Sequence, residues 1–164
     1  MKNIIESIRK QYPVSDLTIK ELESYLTPCS FPKRYQLIKE GIYCKYAYFI
    51  EKGILRAYWV VDGEEYTTSF GAEGCIVFSM DELYYNKKSE EYVETLEEVE
   101  AYRINISDLK KSYGNQLGVM QLGGESYIRM NTDGCTEAIK RGCHCRQRSV
   151  MKSFRNNFRK YAKR

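Results

Sequence analysis

The chain has 164 residues, of which 43% are apolar, 29% charged and only three are proline. That composition belongs to a globular domain and excludes wholesale disorder or a collagen-like fibre. A net charge of +4 conceals an asymmetry. Residues 146–164 hold eight Lys or Arg and no acid, whereas the other 145 residues carry 18 basic and 22 acidic groups, a net −4. A mildly acidic body with a strongly basic tail suggests a polyanion-binding element.

No run approaches the 18 apolar residues of a membrane span, so no membrane role is expected. The start, MKNIIESIRKQYPVSDL, lacks an apolar stretch followed by a small-residue cleavage site. A cytoplasmic protein is expected, with its six cysteines as reduced thiols.

In chain order, Ile4, Ile5, Ile8 and Tyr12 lie at helical spacing and predict a helix over residues 3–11. A second helix follows, capped by Ser15 or Asp16, with Leu17, Ile19, Leu22, Tyr25 and Leu26 apolar and Pro28 as its stop. From Cys29 to Ile106 the period shortens. Apolar or alternating runs at Tyr35–Ile38, Tyr46–Ile50, Ile54–Val61, Glu65–Phe70, Cys75–Phe78, Tyr92–Leu96 and Ala101–Ile106 are parted by turn residues. Asp62-Gly63 is the sharpest turn signal, because a type I′ hairpin needs positive φ at both central residues. Fifteen tyrosines agree with a strand-rich centre. Ser107-Asp108 reads as the cap of a short helix, Leu109–Tyr113.

The fold expected is mainly β with α flanks: a jelly-roll-like β-barrel with N-terminal helices over residues 1–114, then a helical segment and basic tail over 115–164. Within that segment residues 115–141 form a longer helix interrupted by glycines. Its apolar positions Leu117, Met120, Tyr127 and Ile128 are candidates for a homodimer contact. Residues 149–162 are a basic amphipathic pattern. Arg146, Arg148, Lys152, Arg155, Arg159, Lys160, Lys163 and Arg164 are candidate contacts to the phosphates of DNA, without sequence preference.

Nucleotide-loop, nucleophile-elbow and zinc-protease motifs are absent, and the only histidine is His144. No enzyme, cofactor or metal is expected. Cys143-His144-Cys145 with Cys135 has the wrong spacing for tetrahedral zinc and sits among positive charges. Cys29, Cys44 and Cys75 read as small core residues. Glu90–Glu98 is dense in carboxylates, but strand alternation puts Glu90, Tyr92, Glu94 and Leu96 on one face and Glu91, Val93, Thr95 and Glu97 on the other. A solvated edge strand is therefore expected there rather than a catalytic pair.

The stretch QLIKEGIYCKYAYFIEKG (36–53), the hairpin ILRAYWVVDGEEYTTSFGAEGCIV, the last strand Glu98–Ile104 and the Ser107-Asp108-Leu109 that follows it resemble the Crp/Fnr superfamily. The resemblance runs over about residues 15–130 and is to the cyclic nucleotide-binding β-roll. It implies a jelly-roll-like fold flanked by helices, a dimer through the long helix after it, and a small-molecule effector. The implied pocket falls on Phe78, Ser79, Met80, Glu82, Leu83, Ser89, Glu90, Glu91 and Tyr92.

Nucleotide-binding members carry Gly-Glu-Leu and then Arg-Ser/Thr-Ala, whose Arg and backbone N–H groups hold the cyclic phosphate. Here Phe78-Ser79-Met80-Asp81-Glu82-Leu83 and Ser89-Glu90-Glu91 stand in those places. The pattern Lys88–Tyr92 is similar to a divergent branch found in Bacteroides-like bacteria. Acids replace a bidentate cation, so cyclic AMP is not expected to bind in the family's manner. No helix-turn-helix is recognisable after residue 114. The function expected is the sensor domain of a Crp/Fnr-type transcription regulator, truncated or altered in its DNA-reading part; the alternative is a stand-alone ligand- or partner-binding module. A cupin-like enzyme, which needs histidines inside the β region, is disfavoured.

Overall fold

A computed structural model describes residues 1–11 and 14–113. The expected helices at 115–141 and 149–162, with the dimer residues Leu117, Met120, Tyr127 and Ile128, the basic residues of 146–164, and Cys135, Cys143, His144 and Cys145, lie outside the described residues.

Two helices open the chain, α1 (Lys2–Gln11) and α2 (Asp16–Tyr25). Ile4 and Ile8 are buried in the core. No residue within α1 supplies its cap; Glu51, from β3 (Tyr46–Lys52), does so instead. Its carboxylate accepts the N–H groups of Asn3 (3.1 Å) and Ile4 (3.3 Å) and lies 3.5 Å from the terminal ammonium. A negative charge at a helix N-terminus satisfies orphan donors and matches the helix dipole.

At α2 the choice between two caps is settled for Ser15, whose Oγ accepts the Thr18 N–H at 3.2 Å. Ile19 is buried, and Leu22 and Leu26 are half-buried against the core. Leu17 is 79% exposed, against expectation. At 100° per residue Leu17 falls nearly opposite the line through Ile19, Leu22 and Leu26.

The remaining strands are β1 (Thr27–Phe31), β2 (Gln36–Ile38), β4 (Leu55–Val61), β5 (Glu64–Gly71), β6 (Ile76–Val77), β7 (Tyr92–Thr95) and β8 (Val99–Asn105). They form two four-stranded sheets, ordered β1-β8-β3-β6 and β2-β7-β4-β5, with every pairing antiparallel. This is the mainly-β fold with helical flanks that the strand spacing implied, as two sheets rather than a closed barrel. Phe49, Ile50, Val99, Ala101 and Ile104 from one sheet and Ile38, Leu55, Ala57 and Val93 from the other belong to one buried core cluster. The Asp62-Gly63 turn has φ of 53° and 82°, as a type I′ hairpin demands.

Four local readings need correction. Pro28 does stop α2, but it then lies inside β1, which no alternation announced; β1 is an edge strand, where a missing N–H costs no ladder bond. A six-residue helix, α3 (Met80–Tyr85), stands between Cys75–Phe78 and Tyr92–Leu96, where the sequence pattern predicts no element. The last described helix, α4 (Ile106–Tyr113), begins earlier than expected: Asn105 Oδ1 accepts the Ser107 N–H at 3.0 Å and takes the capping role assigned to Ser107-Asp108. Finally, β7 is no solvated edge. It lies between β2 and β4, and Val93 and Thr95 are buried.

Candidate functional site

The implied effector segment runs from β6 through α3 to β7. Ser79 ends the β6 approach, is fully buried, and caps α3 by accepting the Glu82 N–H at 3.3 Å. Ser79-x-x-Glu82 has the pattern of a capping box. Leu83 pins the helix to the core, with Met80 half-buried beside it. Asn86 closes the helix in the left-handed region (φ 53°, ψ 40°), a conformation that Asn tolerates better than most residues. The chain then turns back toward β7.

That return is held by bonds internal to the protein. The Asp81 carboxylate accepts the Glu90 N–H at 3.1 Å, and the Asp81 carbonyl accepts the Lys87 N–H at 3.0 Å. Ser89 is buried. It exchanges backbone bonds with the β2–β3 turn: Gly41 N–H to the Ser89 carbonyl at 2.8 Å, and Ser89 N–H to the Ile42 carbonyl at 3.2 Å. The Ser89 hydroxyl accepts the Glu91 N–H (3.2 Å) and donates to the Glu91 carbonyl (3.0 Å). The N–H groups of residues 89, 90 and 91 are therefore all engaged. A carboxylate stands on the one at Glu90, and Asp81 and Glu82 occupy the first turn of α3.

The sequence-predicted pocket residues differ in burial. Phe78, Ser79, Leu83, Ser89 and Glu91 are buried, Met80, Glu82 and Tyr92 are half-buried, and Glu90 is exposed. Tyr92 lies on the face of β7 away from Val93. It stacks on Tyr58 with ring centroids 5.1 Å apart and planes 12° apart. A groove of about 140 Å³ opens by the β2–β3 turn, lined by Lys39, Ile42, Tyr43, Cys44, Lys45 and Tyr48 among others, none of them from the predicted segment.

Arg56, on the outer face of the β2-β7-β4-β5 sheet, escaped the sequence reading. Its Nε donates to Glu94 at 2.7 Å and its Nη2 to Glu65, and its guanidinium sits 4.3 Å over the Tyr58 ring. Burial works against its charge, but hydrogen bonds to both carboxylates outweigh that and raise its pKa above the ordinary value. Tyr58 in turn accepts from Gln36 Nε2 at 3.2 Å, and burial raises its pKa. Only the pairing of β4 with both β5 and β7 joins these residues, so no local pattern marks them. The acids at positions 65 and 94 were visible, but their shared partner was not.

Cys44 and Cys75 are buried and Cys29 is half-buried, all as free thiols. Burial pushes all three up, Cys75 to about 12. Among the described residues no group of three His, Cys, Asp or Glu could hold a metal ion, and no described helix is long and apolar enough to cross a membrane.

No family model matches the sequence, and no curated protein matches it. Solved structures do match the fold. The regulatory domain of Toxoplasma gondii PKA, crystallised with cAMP, superposes with a TM-score of 0.57 at 14% identity, over 83% of this chain and 46% of that one. The c-di-GMP-responsive global regulator CLP of Xanthomonas campestris gives a TM-score of 0.61 at 16% identity, over 77% and 64%. The N-terminal domain of a transcriptional regulator from Streptomyces coelicolor A3(2) gives 0.56 at 16%, over 71% and 81%. The chain thus spans about half of the first and just under two thirds of the second. The fold is that of the cyclic nucleotide-binding domains, as the Crp/Fnr resemblance implied, and these three neighbours are regulatory proteins.

Proposed function

We propose that this chain is the regulatory, effector-sensing β-roll of a Crp/Fnr-type transcription regulator, and that it does not hold cyclic AMP through a phosphate cradle. The second part rests on one observation: the Asp81 carboxylate occupies the Glu90 N–H that a phosphate would need. A phosphate brought to about 4 Å from that carboxylate meets about 4 kcal/mol of repulsion at an effective dielectric of 20. No arginine of the segment 78–92 offsets it.

The effector acts by population shift, favouring one packing of the helix that follows the roll. Residues 115–141 pair two copies through Leu117, Met120, Tyr127 and Ile128. The tail from Arg146 to Arg164 adds sequence-blind affinity for DNA. The protein works in the cytoplasm.

Titration calorimetry of the full chain with cyclic AMP tests the ligand reading. No binding is expected at 10 μM, and a dissociation constant below about 10 μM, or about 7 kcal/mol, would overturn it. Translating the genomic DNA downstream in all frames tests the regulator reading: a helix-turn-helix is expected, and its absence would count against it.

A further inference from the structure

The groove of about 140 Å³ beside the β2–β3 turn takes none of its described lining from the segment 78–92. Its base is apolar, because Leu37 and Ile38 at the end of β2 are buried. Ile42, 57% exposed, carries the apolar surface outward. The turn that forms this wall is already fixed. Gly41 takes φ 75°, and the Ile42 N–H meets the Lys39 carbonyl at 3.4 Å. Ser89 bonds the turn twice, at 2.8 Å to Gly41 and 3.2 Å to Ile42. Ligand sites are usually formed in this way before the ligand arrives: an apolar surface with a few placed polar groups.

The polar groups here are of one kind. Lys39 and Lys45 line the groove, and neither ammonium has an ion pair among the described residues. Tyr48 lines it too and is only 8% exposed. Its ring packs edge-on to Phe31 and tilts against Tyr46, but its hydroxyl makes no hydrogen bond to any described residue. A buried hydroxyl without a partner is costly and unusual. Burial raises the Tyr48 pKa, with Cys44 next among the causes, so the group is an O–H donor at neutral pH. Cys44, also in the lining, gives its own S–H to the Tyr46 carbonyl at 3.1 Å. Two acids stand near. Glu40 follows Lys39 in the chain, and Glu82, after burial, adds to the rise of the Cys44 pKa. Neither lines the groove.

An apolar cavity of about 150 Å³ accepts a benzene-sized molecule. We propose that this groove binds a small organic acid, with one carboxylate on an apolar body the size of a single ring. The carboxylate accepts the Tyr48 O–H within reach of the Lys39 and Lys45 ammonium groups, and the body packs on Leu37, Ile38 and Ile42. The site stands whether or not the chain is a transcription regulator.

Benzoate is the probe, and benzamide is its neutral counterpart of nearly the same shape. Amide proton–nitrogen correlation NMR of the full chain follows both titrations. Benzoate is expected to shift the amides of residues 36–48 saturably, with a dissociation constant of about 0.1–1 mM, as suits a ligand of about nine heavy atoms. Benzamide is expected to bind at least about fivefold more weakly. Lys39→Gln/Lys45→Gln should lose about fivefold for benzoate and nothing for benzamide. Tyr48→Phe keeps the ring contacts and should lose about tenfold. Its urea midpoint should stay within about 0.3 M of the parent's, because the hydroxyl has no described partner to lose. No saturable shift up to about 10 mM benzoate would overturn the proposal. So would shifts confined to residues 78–92 or 146–164, equal affinity for benzamide, or equal affinity in Tyr48→Phe and the parent.

Discussion

Replacing Gly53 by alanine should be far more damaging than the same change at Gly63, and the structure gives the reason. Both glycines have positive φ, 108° at Gly53 and 82° at Gly63. A Cβ at Gly63 meets nothing within 4 Å, so Gly63→Ala incurs only the left-handed backbone penalty, about 1–2 kcal/mol. A Cβ at Gly53 would stand 2.7 Å from the Glu98 carbonyl oxygen, 2.8 Å from Val99 Cγ2 and 3.0 Å from Val99 Cα. Two of those three atoms are backbone, and Val99 is fully buried in β8, so the neighbours have little room to yield. Backbone strain at φ 108° costs about 1–3 kcal/mol. Overpacking adds about 1–3 kcal/mol. The sum, about 2–6 kcal/mol, is a large fraction of a typical domain stability of 5–15 kcal/mol. Urea unfolding followed by far-ultraviolet circular dichroism measures both. With a slope of about 1–3 kcal/mol per molar, Gly63→Ala should lower the midpoint by about 0.5–1 M. Gly53→Ala should lower it at least twice as far, or leave no folded baseline. If the two variants unfolded within 0.5 kcal/mol of each other, the approach of β8 to residue 53 would not be the constraint described.

Two further outcomes follow from burial and charge. Burial raises the Cys75 thiol from 9.0 to about 12, so the stability tied to its neutral form is intact below pH 9 and is lost as pH rises from 9 toward 12. Cys75→Ala should therefore lose about 2 kcal/mol less than the parent between pH 7.5 and 10.5 in urea titrations; equal losses would contradict the buried thiol, and the parallel rise at Tyr48 leaves some alkaline sensitivity in both. Deleting residues 146–164 should abolish duplex DNA binding, and the intact chain should show a log–log salt slope of roughly −3 to −4, about four phosphates neutralised. Undiminished binding by the deletion protein, or a 1,000-fold preference for one operator, would refute a tail that reads only charge.

The features legible in the sequence have causes that lie within a few residues of one another. Asp62-Gly63 announces its turn because the two residues that must take positive φ are adjacent. Ser15 announces α2 because its hydroxyl reaches only to Thr18. Alternation and turn spacing were enough to place the strands from β2 to β8 in outline, and the glycines and strand order carried the resemblance to a cyclic nucleotide-binding roll.

Tertiary structure decided whatever joins distant residues. Glu51 caps α1 from 47 and 48 residues away. Pro28 is accepted in β1 because the strand lies at an edge. Leu83 makes a six-residue helix worth forming by docking it on the core, since so short a helix has too few bonds of its own to offset nucleation. β7 is buried because β2 and β4 flank it, although its carboxylates read as a solvated face. Asp81 meets the Glu90 N–H only once α3 and the return to β7 are in place, and Arg56 gains both carboxylates only when β5 and β7 pair on either side of β4. A hydrogen bond needs two groups within about 3 Å. Sequence shows that the groups exist, and the fold alone decides which of them meet.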